Sequence, residues 1–288
     1  MIGLTAFLGG NGRVGVRRHN VLPGLRLTLG FTLFYLSALV LLPGAVLLLR
    51  ATGIGWAGFL HIVETPRTLA AFKVTFGLSL AAAALDTALG LLVAWVLVRY
   101  RFPFARLLDA LVDLPIALPT AVAGITLTQL YADNGWLGAP LAALGIKVAF
   151  TPLGILAALS FIGLPFVVRT IEPVLEDLES ELEDAAATLG ATPWQIFARV
   201  ILPPVVPSLI TGFTLALGRA IGEYGSVIFI SGNAPGKTEI VPLLIVIKLE
   251  QFDYAGASVL GMMMLAVAFA IMLVVNALQH WSSRRLGF

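Results

Sequence analysis

Six long stretches of this chain carry almost no charge, and that pattern limits its possible folds more than any other feature. A bilayer core of about 30 Å is crossed by roughly 20 apolar residues in α-helix. Residues 27–49 form one charge-free run between Arg26 and Arg50. Residues 74–98 form a second, broken only by Asp86, and residues 114–132 a third between Asp113 and Asp133. Residues 148–168 lie between Lys147 and Arg169, residues 205–230 carry Arg219 and Glu223, and residues 255–279 are again free of charge. The expected fold class is an all-α integral membrane protein with six transmembrane helices. The expected organisation is an N-terminal segment over 1–26, a transmembrane domain over 27–280 and a tail over 281–288.

Composition agrees. Hydrophobic residues make up 59% of the 288 and charged residues 12%, about half the share usual in soluble domains. Soluble enzymes, disordered tails and secreted mini-proteins are excluded. The 18 Lys and Arg against 16 Asp and Glu are too evenly balanced for a nucleic-acid footprint. With no Cys and three His (His19, His61 and His280), thiolate chemistry is absent and a His-built metal site is not expected. With the N-terminus inside, eleven basic residues fall in inner segments (among them Arg13, Arg17, Arg18, Arg99, Arg101, Arg106, Arg169 and Arg199) against six in outer ones. That asymmetry predicts both termini in the cytoplasm.

Local signals refine the spans. Thr65-Pro66 and Thr151-Pro152 each read as an N-cap hydroxyl followed by Pro at the first helical position. Pro115 and Pro119 predict a bend early in the third span. Residues 240–249 are apolar but too short to span, which predicts a re-entrant or surface helix.

The connection between the fourth and fifth spans, 175–204, does not read as a loop. Seven acidic residues fall between Glu172 and Asp184, a density that usually marks a solvated face. Ser180 and Glu183 have the spacing of a capping box. The helix they would start meets Gly190, a natural residue for the left-handed turn that ends helices. Thr192-Pro193 restarts a second helix, predicted to stop at Pro203-Pro204. Two short helices around a tight turn, with small side chains and no catalytic group, form a docking element.

Asp184-Ala185-Ala186, then Gly190, then Val200, Leu202 and Pro203 resemble the EAA loop of ABC importer permeases, with Asp and Val standing where that family has Glu and Ile. The resemblance implies a type I ABC importer permease whose coupling helix seats in a groove of an ATPase subunit. Further on, Gly222-Glu223-Tyr224-Gly225, the stretch Lys248-Leu249-Glu250-Gln251 with Asp253-Tyr254-Ala255-Gly256, and upstream Leu118-Pro119-Thr120 are similar to the T-type permease (CysT) family of sulfate/thiosulfate importers. Molybdate permeases share the Gly-Glu-Phe/Tyr-Gly piece, so a molybdate/tungstate permease is the alternative. The family implies a W-type second permease, two ATPase subunits carrying ATP and Mg, and a periplasmic sulfate- or thiosulfate-binding protein. It also implies an inner-membrane location and alternating access, with no cofactor bound by this chain.

Charged groups inside a bilayer are costly and mark function or packing. Arg219 and Glu223 are spaced i,i+4, which predicts an ion pair on one helix face, near an anion path or fixing helix packing. Asp86 is a candidate second partner for Arg219. Gly218 and Gly222 predict close helix packing, and Gly222, Gly225 and Ser226 could expose backbone to a translocating oxyanion. Two other classes remain open on the residues alone. An ion-coupled secondary transporter would use Asp86 and Glu223 as proton sites but leaves the acidic helix pair unexplained. A membrane enzyme lacks a visible nucleophile and base. The chain has no phosphate-binding Gly-x-x-x-x-Gly-Lys motif, so it is not expected to hydrolyse ATP itself.

Overall fold

Residues 25–286 are described in a computed structural model, in which every regular element is a helix. Arg13, Arg17 and Arg18 of the N-terminal segment, and residues 287–288, lie outside the described residues. Residues up to Val46 form one compact unit and those from Leu47 a second, larger one.

The first unit holds α1 (Leu25–Leu36), a π-helical turn over Ser37–Leu41 and the start of α2 (Leu42–Thr52). Leu27, Phe31, Phe34 and Leu41 are all exposed. A helix apolar on every side needs a non-aqueous surrounding, which a bilayer supplies.

In the second unit, α3 (Gly55–Val63) leads into α4 (Pro66–Arg99), α5 (Ala105–Ala117) and α6 (Thr120–Tyr131). The short α7 (Gly138–Ala143) precedes α8 (Pro152–Glu176), α9 (Ser180–Thr188) and α10 (Pro193–Ile196). α11 (Leu202–Ile221), α12 (Val227–Ile230), α13 (Val241–Glu250) and α14 (Tyr254–Leu286) complete the chain. Among the described residues five helical stretches are long and apolar enough to cross a membrane, and six if the α5–α6 pair counts as one.

That pair corrects the expectation of a third span over 114–132. α5 and α6 meet at 116°. The break falls at Leu118-Pro119, while Pro115 stays inside α5. Proline crowds the residue before it out of the helical region, and Leu118 is accordingly extended at ψ 137°.

The other boundaries differ where sequence hydropathy ignored backbone chemistry. Thr151 caps α8 as predicted, accepting a hydrogen bond from the Leu153 N–H at 3.2 Å. The Thr65 hydroxyl instead donates to the His61 carbonyl at 2.8 Å. α11 ends at Ile221, short of the predicted 230, because the chain turns at Gly222. α14 carries the predicted tail as helix as far as Leu286. Residues 240–249 form the expected short helix, α13, with Val241, Leu243 and Leu244 buried.

The predicted stop at Pro203-Pro204 is also corrected. Helix runs without interruption from Pro193 to Ile221 because a π-helical turn, Phe197–Ile201, sits just before Leu202-Pro203. Leu202 N–H donates to Phe197 O, five residues back. The wider turn moves aside the carbonyl that a proline ring would strike and absorbs the missing donor. The turn at Ser37–Leu41 does the same before Leu42-Pro43.

α4, α8 and α11 make the core. Val167 of α8 is the wedge: a Cβ placed on Gly90 of α4 would lie 2.6 Å from its Cγ1, and one on Gly212 of α11 3.1 Å from its Cα. Ala83, Ala94 and Ala216 are fully buried around it. Small residues let three backbones approach closely where no water-driven force holds helices together.

Candidate functional site: a docking hairpin and a polar break in the bundle

The residues of the 175–204 connection fold as two short helices around Gly190. Gly190 has φ +82°, a conformation that favours glycine, and nothing lies near its missing Cβ. Backbone geometry therefore requires glycine here, not crowding. The Ala191 N–H reaches Ala186 O at 3.1 Å and the Gly190 N–H reaches Ala187 O at 2.9 Å, the paired bonds of a Schellman ending. The next helix opens with a capping box: the Gln195 N–H donates to Thr192 Oγ1 at 3.4 Å, and the Thr192 N–H to Gln195 Oε1 at 2.8 Å. Ser180, expected to cap the first hairpin helix together with Glu183, lies within α9, and Glu179 is the N-cap residue.

Glu183 serves the bundle instead. Its carboxylate pairs with Arg99, the last residue of α4, at 2.6 Å. The Arg99 guanidinium lies 5.9 Å over the Trp95 ring. Trp95 meets Phe197 edge-on at 5.8 Å, and Phe197 stacks on Trp194 at 5.6 Å. Both hairpin helices are thus bracketed to the end of α4, and Val200, Leu202 and Pro203 continue the second into α11. Asp184, Ala185 and Gly190 are exposed, Ala186 is half-buried, and Leu189 at the tip is 89% exposed. An apolar tip flanked by small residues and carboxylates can seat in a groove on another protein.

Deeper in the bundle, the chain breaks between α11 and α12. Arg219 and Glu223 pair at 2.5 Å. The other Glu223 oxygen accepts the Ser226 N–H at 2.9 Å and the Ser226 hydroxyl at 3.0 Å. Glu223 and Ser226 are buried, while the Arg219 side chain keeps 34% of its surface open. α6 holds the break in place. A Cβ on Gly124 would strike the Ser226 backbone, and one on Gly225 would strike Thr120. Leu118-Pro119-Thr120 and Gly222-Glu223-Tyr224-Gly225, distant in sequence, are thus the two sides of one contact.

The structure brings Arg219, Glu223, Gly225 and Ser226 together and leaves Asp86 apart from them. The expected Asp86–Arg219 pair does not form: Asp86 is buried against Gly163 of α8, and neither carboxylate oxygen has a hydrogen-bond partner among the described residues. Gly218 packs against Met272, as close packing predicted, but Gly222 is open, because the helix ends there. Among the described residues no cluster of His, Asp and Glu could hold a metal ion.

Three ion-pair groups were not legible in the sequence. Arg169 of α8 pairs with Asp113 at 2.6 Å, Asp109 at 2.7 Å and Glu172 at 2.6 Å, tying α5 to α8 at the hairpin end. At the opposite end Arg67 grips the buried Glu239 with bonds of 2.8 and 2.6 Å. Lys248 pairs with Asp253 at 2.8 Å, and Asp253 accepts the Gly256 N–H at 2.8 Å. Lys248 and then that N–H hold the Asp253 carboxyl below its ordinary range. Only Arg169–Glu172, spaced i,i+3, and Lys248–Asp253 are local enough to have been sought in sequence.

Comparison with known proteins agrees with this architecture. The model of the family described as "Binding-protein-dependent transport system inner membrane component" matches residues 86–288. A sulfate transport system permease protein CysT of Synechococcus elongatus is 50% identical over 257 residues, covering 89% of this chain and 92% of the relative. The Escherichia coli (strain K12) protein of the same name is 46% identical over 271 residues, covering 94% and 98%. In fold, the chain is similar to a chain of a bacterial alginate ABC transporter crystallised with an alginate pentasaccharide-bound periplasmic protein. The TM-score is 0.74 at 21% identity, over 91% of this chain and 94% of the other. A multi-pass helical bundle and these relatives make the chain a member of the binding-protein-dependent transport system inner membrane components, in the branch that holds the CysT permeases.

Proposed function

We propose that this chain is the membrane-spanning permease subunit of an ATP-driven importer of sulfate, or of sulfate and thiosulfate, working by alternating access across the inner membrane. The observation that carries the reading is the Gly190 hairpin, exposed at its tip and rigidly joined to the bundle. The names of the relatives at 46–50% identity support sulfate as the anion over molybdate. The hairpin would seat in one of two ATPase subunits, which hold ATP and Mg. A W-type permease would form the second half of the pore, and a periplasmic binding protein would deliver the anion. The excess of basic residues at the hairpin end supports that end, and both termini, lying in the cytoplasm.

Closure of the ATPase pair on ATP would push the hairpin tip. The unbroken helix from Pro193 to Ile221 would carry that motion into the fifth span, and the Arg99–Glu183 and Trp95–Phe197 contacts would carry it into α4. Coupling of this kind needs the two states to differ in contacts at the hairpin. At the far end of α11, the partly open Arg219 guanidinium offers a positive group for an oxyanion, while Glu223 offsets its cost within the bundle. Gly222, Gly225 and Ser226 would shape that part of the path.

The test is uptake of labelled sulfate, with molybdate as the comparison, in cells lacking this gene and carrying either the wild type or Gly190→Trp. The wild type should restore sulfate uptake only while ATP is present, and the variant should insert yet fail to restore it. Uptake that survives ATP exhaustion, or rescue of molybdate entry alone, would refute the reading.

A further inference from the structure

Arg99 and Arg169 at the hairpin end are committed to carboxylates, whereas Arg101 and Arg106 form no ion pair among the described residues. Both line one cleft of about 460 Å³ in the connection from α4 to α5, with Tyr100, Phe102 and Phe104. The apolar run of α4 ends at Val98, next to Arg99, so these residues stand where hydrocarbon gives way to headgroups. Tyr100 and Phe104 are 58% and 76% exposed. Phe104 has φ +74°, a left-handed conformation that is strained for a residue with a side chain. That turn starts α5, with the Leu107 and Leu108 N–H groups both donating to Phe104 O. From there an apolar stripe continues along one face of the helix through Leu107, Leu111 and Leu114, at 56%, 51% and 43% exposure. Asp109 and Asp113 of the same helix are occupied by Arg169.

We propose that the cleft and stripe bind one anionic phospholipid, its phosphate between Arg101 and Arg106 and an acyl chain along Leu107, Leu111 and Leu114. Guanidinium groups match phosphate oxygens with paired donors, and cations at the bilayer surface attract anionic lipid. Tyrosine and phenylalanine rings suit the headgroup level. Cations heading a bare apolar stripe fit an amphiphile with one anionic end better than a free anion or an acidic protein surface. The inference depends on the chain lying in a membrane and not on which anion it imports.

Retained lipid can be counted by native mass spectrometry on the full chain purified with its co-purifying subunits, after addition of phosphatidylglycerol or phosphatidylcholine. The wild type should retain phosphatidylglycerol selectively, and the Arg101→Gln/Arg106→Gln variant should bind it about thirtyfold more weakly. The Arg101→Lys/Arg106→Lys variant should keep most of the retention, and excess inorganic phosphate should not displace the lipid. Equal retention by the glutamine variant would overturn the assignment. Displacement by inorganic phosphate would make this a free-anion site instead. Loss of co-purifying subunits at unchanged lipid retention would identify a protein contact.

Discussion

Arg219 and Glu223 hold each other at 2.5 Å across the point where α11 stops, so the pair joins a helix end to the non-helical segment beyond it. Because Glu223 also binds Ser226, one carboxylate sets the geometry of the whole break. Removing one partner of a buried pair leaves an uncompensated charge, at about 3–5 kcal/mol, whereas removing both charges costs far less. Arg219→Ala is therefore expected to lower the melting temperature of the reconstituted protein more than Arg219→Ala/Glu223→Gln does. A double variant less stable than the single one would argue against this role.

At Gly190 the backbone is left-handed and the space around the missing Cβ is open. Gly190→Ala should cost only about 1–2 kcal/mol of local stability, with insertion intact. Because the Cβ position points into open space, a bulky residue is expected to insert as well as alanine does, so a further loss at equal membrane level points to a partner. Pull-down should show the ATPase retained by Gly190→Ala and lost in Gly190→Trp, at equal membrane levels of both variants. Retention by both would mean that the tip is not the docking surface.

Val167 sits between Gly90 and Gly212, with clearances too small for another methyl group on Gly90. Overpacking of this kind costs about 1–3 kcal/mol, and Gly90→Ala should destabilise the bundle by that order in thermal unfolding. Trimming the wedge should relieve it: Val167→Ala should restore part of the loss in the Gly90→Ala background while destabilising the wild type. Additive losses would contradict the wedge.

The Lys248–Asp253–Gly256 tether fixes the start of α14. Its aspartate carboxyl is depressed in the folded protein, so the contribution is present above the unfolded value of about 3.9 and fades as pH falls through the lower folded value. The stability difference between wild type and Asp253→Asn should be constant near neutral pH and shrink on acidification below about pH 4. A difference that grows toward low pH would be the wrong sign for this tether.

The hairpin was legible in the sequence because its signals are local. Gly190, Thr192-Pro193 and the Asp184-Ala185-Ala186 spacing each act within one or two helical turns. The predicted helix start at Ser180 was one residue late, since Glu179 is the N-cap, and Arg99, far upstream, pairs with Glu183. Asp86 failed for a related reason. Sequence marked it as a buried carboxylate but could not tell which neighbouring helix it would face, and it faces Gly163 instead of Arg219.

The sequence by itself determined the membrane class, most of the spans and the turn at Gly190, because hydropathy and glycine stereochemistry depend on residues close together in the chain. Only the tertiary structure decided that the third span breaks at Leu118-Pro119 and packs on the Gly225-Ser226 break, that Arg67 finds Glu239, and that the fifth span continues unbroken from the hairpin. Those outcomes depend on which helices meet and how closely, a matter of three-dimensional packing between residues as far as 172 positions apart.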